Sequence, residues 1–221
     1  MTGNKRPFEN VYFVNGTAYA GKSTLVKNLA ARFGGVCCGE NYHDVRLPGL
    51  DPGEYPALCW SRDLTDWRLF IRRTPEEYER WTDAVTLECA RLELEILETL
   101  RGCGKPVFVD TNLPAGWLRE WALPGHVLIL LAPPETSVRR FFERPDREKQ
   151  FLYRLLLEEP DPKAAMDNFR ASLSRINSPA RYAAWEHSGF PVLRREEGRT
   201  EEETLALAAG MFALTGGGSP C

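Results

Sequence analysis

The stretch VYFVNGTAYAGKST, residues 11–24, constrains this chain more than any other. Four apolar residues come first, a run that suits a buried strand. Gly16 and Gly21 then bracket four residues, and Lys22, Ser23 and Thr24 follow. Next, Leu25, Leu29 and Phe33 recur at helical spacing, and Gly34-Gly35 can end a helix. Strand, glycine-bracketed loop and helix therefore follow one another within 25 residues. The loop Gly16-Thr17-Ala18-Tyr19-Ala20-Gly21-Lys22-Ser23 matches G-x-x-x-x-G-K-[ST] completely. Chance alone supplies such a match about once in a hundred chains of this length. A loop wrapped around a phosphate must turn its N–H groups inward and pass close to the anion, which favours glycine at the bends. The following helix adds its positive N-terminal end. The pattern predicts a phosphate-binding loop spanning Gly16 to Thr24, with Lys22 on the β and γ phosphates and the Ser23 hydroxyl on Mg²⁺.

The rest of the chain alternates in the same way. Short apolar runs at Val36–Cys38, Val107–Val109, Val127–Leu131 and Pro191–Leu193 read as further strands, most of them apolar on both faces. Adjacent Cys37 and Cys38 read as small core residues. The longest helix is predicted to start at Pro75, with Thr74 and Glu77 as a capping box. Tyr78, Trp81, Val85, Cys89, Leu92, Ile96 and Leu100 form its stripe, and Gly102 and Gly104 stop it. Helices are also expected at about 134–143, 147–158, 163–176, 179–187 and 201–214, the last opening with a Thr200–Glu203 capping box. This order predicts a three-layer α/β/α fold around a mostly parallel five-stranded sheet. One domain is expected over 1–221, with an acceptor-binding helical region at about 45–101. The helical, charge-rich stretch 133–189 is too long for a plain crossover and predicts an inserted lid or small subdomain.

Composition narrows the function. Hydrophobic residues make up 43% and charged residues 27%, as in an ordinary globular chain. The net charge of −3 supplies no global pull toward nucleic acid or anionic membrane. An anionic ligand must therefore be held locally. The six cysteines form no CxxC pair. No stretch approaches the ~20 apolar residues of a membrane span, and the 11–14 run is too short for a secretory signal. A cytoplasmic location is expected.

The absence of N-K-x-D argues against a GTPase, and the absence of an L-S-G-G-Q-like signature argues against a transporter ATPase. The loop, its position in the chain and the arginine-rich helical insertion resemble the P-loop small-molecule kinases: nucleoside and nucleotide monophosphate kinases, shikimate kinase and relatives. The resemblance implies an ATP-dependent, Mg²⁺-requiring kinase of a small-molecule acceptor: a nucleoside, a nucleotide or a hydroxylated metabolite. Asp110, directly after an apolar strand, would serve Mg²⁺ opposite Ser23; alternatively it caps a turn. In CCGENYHDV, Asp44 would grip the acceptor hydroxyl, with Glu40 and His43 behind it, although the D-x-D spacing of shikimate kinase is missing. The lid would be SVRRFFERPDREKQFLYR, where Arg140 and Arg144 share a helix face and can neutralise the moving phosphoryl group. The adenine would lie between the start of the lid and RREEGRTEEE, residues 194–203. Between the second and third strands, Arg62, Arg68, Arg72 and Arg73 would suit an acceptor with phosphate or carboxylate, and Trp60 and Trp67 a ring; the alternative is helix core and surface charge. Two further readings stand beside the kinase: a regulatory module that binds nucleotide and hydrolyses it slowly or not at all, and a kinase of a macromolecule, which the acidic charge balance disfavours for nucleic acid. The oligomeric state is left open by the sequence.

Overall fold

The computed structural model describes residues 6–143 and 147–214. Five parallel strands form one sheet in the order β2-β3-β1-β4-β5. They are β1 (Val11–Gly16), β2 (Val36–Cys38), β3 (Val107–Asp110), β4 (Val127–Leu131) and β5 (Val192–Arg194). β1 is central because its residues alternate between two apolar environments. Val11 and Phe13 join Val107, Val109, Val127 and Ile129 on one face. Tyr12 and Val14 join Phe108, Leu128 and Leu130 on the other. A strand with no polar face cannot sit at a solvated edge.

Helices cover both faces, giving three layers. α1 (Lys22–Phe33) and α10 (Glu201–Met211) lie on the Tyr12 face, burying Leu25, Val26, Leu29, Leu205 and Ala208. The C-terminal half of α4 (Pro75–Leu100), α5 (Ala115–Trp121) and α9 (Pro179–Glu186) lie on the Val11 face through Ala90, Leu97, Leu118 and Trp185. The capping boxes at Thr74–Glu77 and Thr200–Glu203 are both formed.

A second apolar core lies away from the sheet. It unites α3 (Arg68–Ile71), the N-terminal half of α4, α6 (Pro134–Arg140), α7 (Arg147–Leu157) and α8 (Pro162–Ile176) around Phe70, Tyr78, Leu156 and Phe169. α6, α7 and α8 are thus packed on the 45–101 region, while α9 lies on the sheet. A 3₁₀ turn (Tyr42–Gly49) and α2 (Pro56–Arg62) complete that region. Among the described residues, no helix is long and apolar enough to cross a membrane.

The structure departs from the sequence expectations in three places. β1 runs two residues further, with Asn15 and Gly16 paired to Ile129 and Leu130 of β4. Cys37 is exposed while Cys38 is buried, because β2 is an edge strand. α5 has no forerunner in the apolar pattern, since its seven residues bury only Leu118 fully. Arg144, together with Pro145 and Asp146, lies outside the described residues.

Gly16 is where strand and loop demand glycine most strictly. Its φ is 126°, and a Cβ there would stand 1.9 Å from the Leu130 carbonyl oxygen. Gly21 has φ 94°, but a Cβ there meets nothing within 4 Å. Gly16→Ala is therefore expected to destabilise the fold by at least ~3 kcal/mol, roughly 6–12 °C in Tm for a chain of this size. Gly21→Ala should cost only about 1 kcal/mol, from backbone strain alone. Thermal unfolding of the two variants side by side checks the difference; equal losses would show that the close approach to Leu130 relaxes freely.

Candidate functional site

The loop after β1 is braced from outside and open at its centre. Gly16, Tyr19 and Gly21 all take positive φ, which turns the chain back on itself. Thr17 ties the loop to the end of β4: its N–H donates to Leu130 O (3.0 Å), and its hydroxyl accepts from Ala132 N (2.7 Å). Ser137 of α6 donates to Ala18 O (3.3 Å), and the Arg195 guanidinium donates to Tyr19 O. Lys149 of α7 stands 5.5 Å from the Tyr19 ring. α1 begins at Lys22 with no side-chain cap and no acid in its first turn. Its first N–H groups and positive end are left for another partner.

Three of the expected site residues meet at the base of the loop. Ser23 Oγ donates to Asp110 Oδ2 at 2.7 Å. Lys22 Nζ lies 4.0 Å from Asp110 Oδ1 and donates to Thr17 O at 3.1 Å. Glu40, at the end of β2, brings Oε2 to 3.4 Å from Ser23 Oγ. Asp110 is buried, and that burial lifts its pKa above the ordinary carboxylate value. Lys22 and the Ser23 bond pull it back down, and the charges of Glu40 and Glu93 push it up again.

The position of Asp110 is secured by a residue that the sequence pattern does not mark. Glu93 of α4 is fully buried. It accepts from Thr111 Oγ1 (2.6 Å), Asn112 N (3.0 Å) and Asn112 Nδ2 (2.8 Å), which fixes the chain just past Asp110. Its Oε1 also stands 3.5 Å from buried His43 Nδ1, in the 3₁₀ turn after β2. Asn15 completes the frame, donating to Leu113 O (2.8 Å) and accepting from Gly16 N (2.6 Å). The available signal was a glutamate beside Leu92 in the apolar stripe of α4, since such a residue is buried only when paired.

Asp44 does not join this group. It is about half exposed, and its contact is His43 Nε2 at 3.6 Å. Partial burial raises its pKa, and His43 opposes the rise. Arg140 and Arg139 line a cavity of about 560 Å³ together with Tyr19, Asn28, Arg195 and Thr204. This cavity lies between the loop, α6 and residues 194–199, on the β4–β5 side of β1. Arg140 also pairs with Glu143 at 3.7 Å.

Neither family models nor curated proteins give a match to this sequence. What the site can do is therefore argued from its own chemistry. Among the described residues, no cluster of three or more His, Cys, Asp or Glu side chains forms a metal cage. The Ser23–Asp110 pair with Glu40 beside it is a smaller oxygen donor set. Such a set suits Mg²⁺, which keeps several waters and takes its remaining ligands from substrate phosphates.

The arginines and tryptophans expected on the acceptor side are largely used by the fold. Trp60 and Trp67 pack into the second core. Arg62 donates to Leu47 O and Leu50 O, Arg72 to Glu159, and Arg68 to Glu158. Arg73 lies over the Trp60 ring at 3.7 Å.

The raised pKa of Asp110 has a defined sign in stability. Folding favours its protonated form, so its contribution is fully present below about pH 4. It is lost as pH rises through the folded value. Ionised Asp110 thus costs stability at neutral pH. Asp110→Asn should raise Tm at neutral pH by ~2–4 °C, about 1 kcal/mol. The difference from wild type should vanish on the acid side. Thermal melts of both proteins from acid to neutral pH check this; a lower Tm in the variant would mean that the Lys22 pairing outweighs the burial.

Proposed function

We propose that this protein is an ATP-dependent phosphotransferase acting on a hydroxyl of a small molecule, with Mg²⁺ as cofactor. The observation that carries the reading is the convergence of Lys22, Ser23 and Asp110 beneath a glycine-bent loop that opens onto the uncapped start of α1. In this reading Gly16 to Thr24 cradle the triphosphate. Backbone N–H groups face the oxygens, and Lys22 exchanges the Thr17 carbonyl for the β and γ phosphates. Ser23, with Asp110 at 2.7 Å, would hold Mg²⁺, which would supply positive charge to the phosphates. The cavity of about 560 Å³ takes the base and ribose. Arg139 and Arg140 lie at its edge, where a guanidinium can meet phosphate oxygens as a forked donor. Arg144 belongs to the same proposal by its spacing from Arg140.

Two carboxylates compete for the acceptor hydroxyl. Asp44 is the choice by sequence. Glu40 has the better geometry, because its Oε2 lies 3.4 Å from Ser23 Oγ while Asp44 meets His43 Nε2 at 3.6 Å. Glu40 is therefore assigned the role of proton acceptor, and Asp44 that of a supporting charge. Catalysis in this arrangement is positioning plus electrostatic neutralisation, as phosphoryl transfer requires. The intact Lys22, Ser23 and Asp110 set favours catalysis over a purely regulatory nucleotide site.

Lys22→Ala is expected to weaken ATP binding at least tenfold by calorimetry and to abolish transfer. Unchanged binding would remove the loop from the proposal. Glu40→Gln should lower kcat by ~10²–10⁴, the usual worth of a general base. Asp44→Asn should lower it less than tenfold. The reverse order in steady-state rates would return the base to Asp44.

A further inference from the structure

Resting on the phosphotransferase reading above, we infer that the acceptor carries no phosphate or carboxylate: it is an uncharged or amine-bearing hydroxyl compound. The sheet order puts two different chemistries on either side of β1. The cavity with Arg139, Arg140 and Arg195 lies toward β4 and β5. Glu40 and Asp110 stand at the ends of β2 and β3, with Asp44 in the turn beyond β2. A donor nucleotide fills the first side, which leaves the second for the acceptor. From Glu40 to Tyr55 the chain carries Glu40, Asp44, Asp51 and Glu54 against a single arginine, the exposed Arg46.

Four arginines between β2 and β3 that could answer an anionic acceptor, Arg62, Arg68, Arg72 and Arg73, are committed elsewhere. Arg62 holds two backbone carbonyls, Leu47 O at 3.0 Å and Leu50 O at 2.9 Å, and pairs with Asp63. Turning it toward a ligand would strip both carbonyls of a charged donor. Arg72 forks onto Glu159 at 2.7 and 3.0 Å, and Arg68 reaches the same carboxylate at 3.7 Å. The Glu159 side chain is only 8% exposed, so releasing these arginines would leave a buried charge unpaired. Arg73 is stacked on Trp60 and lies 5.0 Å from Trp81. A phosphate or carboxylate on the acceptor would enter beside Glu40, Asp44 and Asp110 with none of these cations to receive it. A hydroxyl or ammonium group meets carboxylates that can accept its protons.

The transfer balances without a further reactant. The bond between the γ-phosphorus and its bridging oxygen breaks, a bond from the acceptor oxygen to the same phosphorus forms, the hydroxyl proton passes to Glu40, and ADP leaves.

The test uses the full-length protein with Mg²⁺, γ-labelled ATP and matched acceptor pairs. The pairs are nucleosides with their 5′-monophosphates, and sugar alcohols and amino sugars with sugar phosphates and sugar acids. ATP binding is measured separately by calorimetry. The expected result is label in at least one uncharged or amine-bearing acceptor, with kcat/KM at least tenfold above its anionic counterpart. Equal or better transfer to the anionic member would overturn the inference and leave the phosphotransferase reading standing. ATP binding with label in neither class would overturn the inference and leave only a nucleotide site. Absence of ATP binding would overturn both.

Discussion

The fold of the candidate site depends on one buried carboxylate. Glu93 has no exposed surface, and a lone charge there would be costly enough to unfold the region. It is tolerated because the Thr111 hydroxyl, the Asn112 N–H and the Asn112 amide all donate to it, and His43 faces it. Each donor belongs to a chain segment that must run close to the phosphate-like loop. Thr111 and Asn112 follow Asp110 at the end of β3, and His43 follows Glu40 at the end of β2. One side chain of α4 thereby fixes the chain just past β3 and faces the turn that follows β2. On the opposite flank, Thr17 and Gly16 do the same work against Leu130 and Ala132 of β4.

The second core ties the two sides of the proposed reaction together. α7 carries Arg147, Lys149 and Arg154, and α3 with the start of α4 belongs to the proposed acceptor side. With α8 they share one aromatic cluster: Trp67 meets Phe151, and Phe169 meets both Tyr78 and Phe70. Edge-to-face contacts of this kind add to the burial of large rings. A displacement of α7 relative to α3 must break the Trp67–Phe151 contact, and a displacement of α8 the other two. Movement of these helices is therefore coupled to the acceptor side rather than to the central sheet, whose contacts belong to separate clusters.

Much of the architecture is legible in the sequence because the strands β1, β3 and β4 are apolar on both faces and α4 and α10 open with capping boxes. The Thr74–Glu77 and Thr200–Glu203 boxes form as spaced. Lys22, Ser23 and Asp110 also meet, though Ser23 and Asp110 lie 87 residues apart. The rest depends on tertiary placement. Leu118 alone cannot reveal α5. Arg62 and Arg72 look like ligands until their carbonyl and carboxylate partners arrive from other segments. Asp44 ranks ahead of Glu40 in the sequence, yet it is Glu40, just past β2, that reaches Ser23.

Violations of the folding rules are concentrated at one corner. Non-glycine residues with positive φ are costly, and two of those described, Tyr19 and Asn41, flank Ser23 and Glu40 along the chain. Buried Asp110 has its pKa raised there, and buried Glu93 lies behind it. The other buried acid, Glu88, has a plain structural explanation: it accepts from the Ala57 and Leu58 N–H groups and caps α2. No such economy accounts for Tyr19, whose strained backbone is held in place by Arg195 and flanked by Ser137 on Ala18. A fold selected only for stability would relieve that strain with glycine and replace Asp110 with a neutral residue. Their retention at the mouth of an uncapped helix supports the proposal of a site that receives an anion and a cation together.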